Sequence, residues 1–192
     1  KDLSKVKEKE MAAFRRNNLG FVFQDFNLLD TFSLKDNIFL PLVLSGTSYK
    51  EMERRLMPLA DKLGIKSILE KYPYEVSGGQ KQRAAVARAV ITQPQLLLAD
   101  EPTGALDSDT SIQVMDLLKE VAKDRLVVMV THNPELAEEY ATRIVTLKDG
   151  KIRSDTDEYI VEDQELKAPE HKNMGKSSMS FLTALALSFN NL

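Results

Sequence analysis

Four polar side chains suited to phosphate chemistry each follow a short apolar segment of this sequence. They are Gln24, the adjacent pair Asp100 and Glu101, and His132. Ligands of open α/β sheets bind at the carboxyl ends of the strands, so the amide, both carboxylates and the imidazole are expected in one crevice. An acid fixed at a strand end can hold a magnesium ion, and a second acid beside it can deprotonate an attacking water. This set of an amide, two carboxylates and an imidazole suits metal-assisted phosphate chemistry.

A second group of residues has the composition of an anion site. Ser77, Gly78, Gly79 and Gln80 open an alanine-rich stretch that predicts a helix over residues 80–91. Two glycines allow a ligand to approach the backbone closely, and the amides at a helix N-terminus attract negative charge. Each group has an ordinary alternative when taken alone: a strand that runs into a solvated turn, or a capped helix after a flexible turn. Their order and spacing favour the functional interpretation.

Hydrophobic periodicity predicts the elements that position these residues. Near-continuous apolar runs are typical of parallel strands covered on both faces, and apolar residues at helical spacing predict a helical block at residues 33–72. The Asn133-Pro134-Glu135 sequence predicts a further helix start. The predicted strands are residues 20–24, 96–99, 126–130 and 143–147. The fold class is therefore α/β in βαβαβ order, and Asp149-Gly150 predicts a hairpin after the last of these strands.

The composition limits the classes of protein to which the chain can belong. Its 192 residues are 43% hydrophobic and 29% charged, values that exclude wholesale disorder and a chain made mostly of membrane spans. The net charge of -3 argues against a protein that grips nucleic acid by bulk charge. Because the chain has no cysteine, disulfides, thiolate metal sites and cysteine nucleophiles are excluded.

Residues 14–154 resemble the ATP-binding cassette (ABC) ATPases, because four motifs occur in the order found in that family. They are Gln24, SGGQKQR, LLLADEPTGALD and THN. The spacing around GFVFQDFNLLDTFSLKDNI and YPYEVSGGQKQR is similar to that of the macrolide-export, lipoprotein-release and bacitracin-resistance ATPases. The resemblance implies a P-loop NTPase-like fold, a mostly parallel sheet with flanking helices and an inserted α-helical subdomain. It places a partial ABC ATPase domain at residues 1–154, with the helical subdomain at 33–91, a linker at 155–178 and the apolar start of a permease domain at 179–192.

The same resemblance assigns roles to the residues at the strand ends. Gln24 and Asp100 would hold Mg²⁺, and Gln24 would also sense the membrane partner. Glu101 would be the catalytic base, and His132 would contact the γ-phosphate of ATP. The implied cofactors are therefore ATP and Mg²⁺.

The remaining motif residues are implied to serve a second cassette. Two cassettes of the family pair head to tail, and each nucleotide lies between the phosphate loop of one and the signature motif of the other. The signature residues here are Ser77, Gly78, Gly79 and Gln80, and Asp107 lies in the loop that crosses the dimer interface. The implied partners are a second ABC ATPase domain, as a homodimer, and a transmembrane permease domain, with no nucleic acid. This places the protein at the cytoplasmic face of the cell membrane.

No G-x-x-x-x-G-K-S/T sequence is present in the chain. In the family this loop precedes the glutamine and cradles the β- and γ-phosphates. We therefore expect the N-terminal strands and the phosphate loop to lie before residue 1 in a longer protein, and the 192-residue chain alone to be inactive. The expected function of the intact protein is ATP hydrolysis that powers export or extraction of a peptide, an antibiotic or a lipoprotein. The alternatives are an ABC ATPase of DNA repair or translation and a non-catalytic regulatory module.

Overall fold

A computed structural model describes residues 8–158 of the chain. Short 3₁₀ helices at Lys66–Ile68 and Pro73–Glu75 join longer elements. The longer elements are α1 (Glu8–Asn18), β1 (Leu19–Val22), α2 (Leu34–Val43), α3 (Tyr49–Lys62), α4 (Gly78–Val90), β2 (Leu96–Asp100), α5 (Ser108–Val121), β3 (Leu126–Val130), α6 (Pro134–Tyr140), β4 (Val145–Lys148) and β5 (Lys151–Asp155). No helix of this range combines the length and the hydropathy needed to cross a bilayer.

The first three strands form a parallel sheet in the order β1-β2-β3. Val22 is in register with Ala99, and Ala99 is in register with Met129. Because the strands are parallel and in step, their carboxyl ends meet at one edge of the sheet. The chain is therefore an α/β protein with a parallel sheet and flanking helices, as its sequence predicts.

The predicted place of residues 143–147 in that parallel sheet is wrong. Strand β4 pairs with β5 in a separate antiparallel sheet. The turn between them contains Asp149 and Gly150, whose φ angles are 51° and 71°, and two positive φ angles match the right-handed twist of a two-residue hairpin. The hairpin prediction is confirmed, and the tight turn explains why β4 pairs with its neighbour in sequence. Because every β4 residue is exposed, the segment also lacks the burial of a central parallel strand.

Helix α4 joins the helical block to the parallel sheet. One face of α4 contributes Ala84, Ala87 and the following Ile91 to the core of the helical block. Its other face contributes Val86, Ala89 and Val90 to the core beneath the sheet. The small alanines allow backbones to approach closely, and at Gly20 a Cβ atom would lie only 2.5 Å from the Ala89 carbonyl oxygen. This helix is thus packed on both sides.

The helical block is held by apolar packing and by one lysine. Leu34, Ile38 and Leu56 are fully buried in the core of the helical block, and each such side chain stabilises the fold by about 1.5–3 kcal/mol. Lys35 forms an ion pair with Glu53. Hydrogen bonds to Glu53 and to the Tyr49 side chain raise the pKa of Lys35 above its ordinary value. The lysine therefore stays charged and ties α2 to α3.

The described residues end shortly after β5, whose last residue is Asp155. The predicted linker is described only as far as residue 158, and its remainder lies outside the described residues. The predicted permease start at residues 179–192 also lies outside them.

Candidate functional site

Strand β2 delivers the acid pair to the carboxyl edge of the sheet. Asp100 is the last residue of β2, is exposed and is in register with Val130. Glu101 follows it, and its backbone N–H donates to the Val130 carbonyl at 2.9 Å. The φ angle of Glu101 is +45°, a left-handed conformation that is costly for a non-glycine residue and persists where surrounding contacts hold it. The chain thus turns sharply between the two acids.

The carboxylate of Glu101 is bound to the segment that follows β3. Its Oε1 accepts from the His132 backbone N–H at 2.7 Å and lies 2.8 Å from His132 Nδ1. Its Oε2 accepts from the Thr131 hydroxyl at 3.3 Å. The imidazole is 80% exposed, whereas the Glu101 side chain is only 18% exposed. The structure therefore brings the predicted base and the predicted histidine into direct contact.

Thr131 belongs to this cluster, although sequence analysis gave it no role. Its hydroxyl oxygen accepts from the Asn133 backbone N–H at 3.1 Å while the hydroxyl faces Glu101. Asn133 in turn caps α6 by accepting from Leu136 N–H at 3.2 Å, as the sequence predicts. A signal was present, since Thr131 lies between an apolar strand and a helix cap.

Gln24 reaches the same region from β1. A Cβ atom added at Gly104 would lie 3.0 Å from Gln24 Nε2 and 3.2 Å from Gln24 Cδ. The Gln24 amide therefore lies against the loop that follows Glu101. The Gly104 N–H closes that loop by donating to the Glu101 carbonyl at 3.0 Å. All three parallel strands thus deliver polar side chains to one edge.

An arginine of α4 holds the turn after Gln24. Phe26 and Asn27 have φ angles of 61° and 48°, and the Arg88 guanidinium donates to both of their carbonyl oxygens. Burial lowers the pKa of Arg88. Sequence analysis missed this residue because its partners are backbone atoms about sixty positions away in the chain. Arg88 positions the segment that carries Gln24.

The Ser-Gly-Gly-Gln sequence caps the start of α4. Gln80 N–H donates to Ser77 Oγ at 3.4 Å, and Ser77 N–H donates to Gln80 Oε1 at 3.0 Å. This reciprocal pair is a capping box that satisfies the Gln80 N–H. The N–H groups of Gly78 and Gly79, in the first turn, have no acceptor within the helix itself. Ser77 is exposed. The predicted anion site is thus a capped helix start that is open to solvent.

Asp107 caps the next helix, α5, and lies beside the glycines of α4. Its carboxylate accepts from Thr110 N–H at 3.0 Å and from the Thr110 hydroxyl at 2.8 Å. These bonds lower the pKa of Asp107, so the carboxylate is ionised at neutral pH. A Cβ atom at Gly79 would lie 2.2 Å from Thr110 Cγ2. The loop of Asp107 and the start of α4 are therefore packed against each other.

We expect Gly79→Ala to destabilise the chain and Gly78→Ala to be tolerated. The added methyl at Gly79 overlaps Thr110, which Asp107 holds in place, whereas at Gly78 the nearest neighbour is Leu106 Cδ2 at an ordinary 3.5 Å. Overpacking of this kind costs about 1–3 kcal/mol. Urea unfolding of the two variants measures the difference. Equal unfolding midpoints would contradict this account of the contact.

The donor set at the strand ends fits magnesium bound together with phosphate groups. Among the described residues no group of three or more His, Asp and Glu side chains could hold a metal ion by itself. Magnesium commonly takes one or two protein carboxylates and completes its shell with water and substrate phosphates. One exposed carboxylate, Asp100, with the Gln24 amide against the loop that follows Glu101 suits such an ion. This cluster does not provide a closed metal site in which every ligand comes from the protein.

Comparison with known proteins gives consistent results. The sequence profile of the family described as "ABC transporter" matches residues 1–104. The chain is 53% identical over 152 residues to the ABC transporter ATP-binding protein YvcR of Bacillus subtilis, covering 78% of this chain and 58% of that protein. It is 46% identical over 153 residues to the bacitracin export ATP-binding protein BceA of Halalkalibacterium halodurans, covering 79% of this chain and 60% of that protein. The chain thus spans about three fifths of the length of these relatives.

Solved structures show the same likeness. A dimeric post-hydrolysis state of the ATP-binding cassette MJ0796, bound to ADP and Pi, superposes with a TM-score of 0.68 at 36% identity. The match covers 79% of this chain and 67% of that chain. A second dimeric structure of MJ0796, described as a bacterial ABC transporter cassette, gives a TM-score of 0.69.

Proposed function

We propose that this chain, which belongs to the ABC transporter family of ATP-binding proteins, hydrolyses ATP in the intact protein and so drives transport. The observation that carries the proposal is the contact of Glu101 with His132 at the strand edge that Asp100 and Gln24 share. Hydrolysis needs a base, a phosphate contact and a metal-binding acid within one small site. These residues supply all three.

In this proposal Glu101 is the base. Oε1 is occupied by the His132 N–H, while Oε2 has only the longer 3.3 Å contact with Thr131. Oε2 is therefore the oxygen that is free to accept a proton from the attacking water. His132 Nδ1 faces Glu101, so Nε2 on the opposite side of the ring remains for a phosphate oxygen. Asp100 and Gln24 would hold Mg²⁺, which neutralises charge on the phosphates.

The proposal requires two copies of the protein. The MJ0796 structures that this chain resembles are dimeric. Ser77 is exposed at a helix start that favours anions. We propose that it contacts the ATP held at the strand ends of a second copy in a homodimer.

A membrane permease is the second proposed partner. Phe21 and Phe23 stack with ring centroids 5.9 Å apart, and the two residues are 40% and 36% exposed. Together with Leu40, Pro41 and Leu44 they line an apolar groove of about 340 Å³. Within the helical block, Phe39 and Leu42 are buried in the core, whereas Val43 is exposed. Such a groove suits an apolar segment of a permease, which would place the chain at the cytoplasmic face of the membrane.

The proposed cargo is a peptide, an antibiotic or a lipoprotein, exported or extracted from the membrane. Relatives of this chain are named for bacitracin export and for macrolide export. Another is named for methionine import. The first two names support export of an antibiotic or peptide.

The proposal is tested by measuring Mg²⁺-dependent ATP hydrolysis by the intact protein. Asp100→Asn is expected to raise the Mg²⁺ concentration for half-maximal rate by about tenfold or more, because the ion loses its charged ligand. The matched control is Asp116→Asn, since Asp116 is an exposed acid of α5 whose Oδ1 accepts from the Tyr140 hydroxyl at 3.1 Å. Absence of hydrolysis by the wild type, or an unchanged Mg²⁺ requirement in Asp100→Asn, would contradict the proposal.

A further inference from the structure

We propose that Gln82, a glutamine of α4, positions the base Glu101 through a hydrogen bond to the backbone that follows it. This rests on the proposed function, because it takes Glu101 to be the base. Gln82 is fully buried. Its Nε2 donates to the Pro102 carbonyl oxygen at 2.6 Å, and Pro102 is the residue next to Glu101. Gln82 touches neither nucleotide nor water in this scheme and acts only through the loop.

The hydrogen bonding of the Gln82 amide indicates that this side chain serves its contact with the loop. A carbonyl can only accept, so the Pro102 oxygen requires the NH₂ group of Gln82 to face it. Among the residues that the structure describes, the buried Oε1 has no hydrogen-bond partner. An unpaired buried acceptor is destabilising, and a methionine of similar volume would avoid that cost. The glutamine therefore serves the buried Pro102 carbonyl, which methionine would leave without this donor, even though its own Oε1 stays unpaired.

The backbone around Glu101 needs support on both sides. Its φ angle is +45°, and its N–H is held by the Val130 carbonyl at 2.9 Å on the β3 side. The Gln82 bond holds the opposite side, at Pro102. A strained conformation persists only while its surroundings fix it. Without the Gln82 bond, the loop can relax and move the carboxylate away from the attacking water.

The same bond connects the base to the anion site. Gln82 lies five positions after Ser77 in the sequence, and the intervening Gly79 packs against Thr110. Core contacts hold α4 on two faces, so any displacement of the helix shifts it as a rigid body. A phosphate that engages Ser77 from a second copy therefore acts on a helix that also holds the base of this copy.

The test compares Gln82→Met with Gln113→Met in the intact protein. Methionine keeps the volume of Gln82 and removes the donor, so kcat is expected to fall roughly 10- to 100-fold while the KM for ATP changes less than about twofold. Gln113 is an exposed glutamine of α5 that accepts from Arg83 at 3.2 Å. Its replacement should leave both constants unchanged.

Two further measurements separate positioning from a structural defect. In a Glu101→Gln background, Gln82→Met should cause no additional loss, because the residue acts through Glu101. Gln82→Glu should recover activity relative to wild type as the pH falls from about 8 to about 6. Burial favours the neutral carboxyl and raises its pKa, and only the protonated form can donate to the Pro102 carbonyl.

Each of these measurements supports or overturns the role of Gln82. Unchanged kcat in Gln82→Met, an equal loss in the Glu101→Gln background, or a Gln82→Glu activity that stays far below the wild type at every pH from about 8 to about 6 would overturn the inference while the proposed function stands. Absence of Mg²⁺-dependent hydrolysis by the intact wild-type protein would overturn both this inference and the proposed function. If Gln82→Met melts far below the wild type, the pH profile of Gln82→Glu decides alone.

Discussion

Glu101→Gln in the intact protein is expected to slow ATP hydrolysis about 100- to 10,000-fold, the usual contribution of a general base. Glutamine can accept from the His132 N–H as Glu101 does at 2.7 Å, so the geometry of the site should survive. It cannot take up the proton of the attacking water. ATP should therefore bind without being consumed and hold two copies together. Phosphate release measures the rate, and light scattering with ATP measures the dimer.

The matched control for this variant is Glu135→Gln. Glu135 is an exposed acid in the first turn of α6, three positions after His132. Its replacement should leave the rate and the oligomeric state unchanged. A Glu101→Gln protein that hydrolyses ATP at the wild-type rate would show that another group is the base.

The 192-residue chain is expected to hydrolyse ATP at least about 1,000-fold more slowly than a longer protein that includes a phosphate loop. In the proposed function the strand-end residues supply the base and the metal-binding acid. The sequence has no G-x-x-x-x-G-K-S/T loop to cradle the β- and γ-phosphates. Without that cradle the γ-phosphate is not held for attack. Phosphate release by the two proteins at equal concentration and saturating Mg-ATP measures the ratio.

A phosphate-loop Lys→Ala variant of the longer protein is the control for this comparison. It should be as inactive as the 192-residue chain, because both lack the lysine. Comparable turnover by the 192-residue chain and the longer wild type would show that phosphate binding needs no such loop.

The candidate site could be predicted from the sequence because its residues follow apolar strands directly. Asp100 and His132 come at or just after strand ends, and parallel pairing puts those ends at one edge. Periodicity therefore predicted which side chains would meet. It could not give the 2.8 Å contact between Glu101 and His132, because that contact depends on the left-handed turn at Glu101.

Residues that act on backbone atoms could not be found in this way. Arg88 and Gln82 lie on an alanine-rich helix and resemble ordinary polar positions in its sequence. Their partners are the carbonyl oxygens of Phe26, Asn27 and Pro102. A carbonyl has the same chemistry at every residue, so only the tertiary fold shows which one is bound.

Strand β4 shows a second limit. A short apolar run has the same composition in a buried parallel strand and in an exposed hairpin, and periodicity alone does not separate them. The Asp149-Gly150 turn decided the pairing here. When a turn sequence directly follows an apolar segment, the turn should therefore decide which strand that segment is predicted to pair with.

The central claim is that one nucleotide lies between the strand ends of one copy and the Ser-Gly-Gly turn of another. The most direct measurement is a crystal structure of the intact Glu101→Gln protein with ATP and Mg²⁺. The account predicts that Gln24, Asp100 and His132 of one copy and Ser77 of the other contact the same ATP and its metal ion. Nucleotide bound away from these strand ends, or contacted by Ser77 of its own copy, would contradict it.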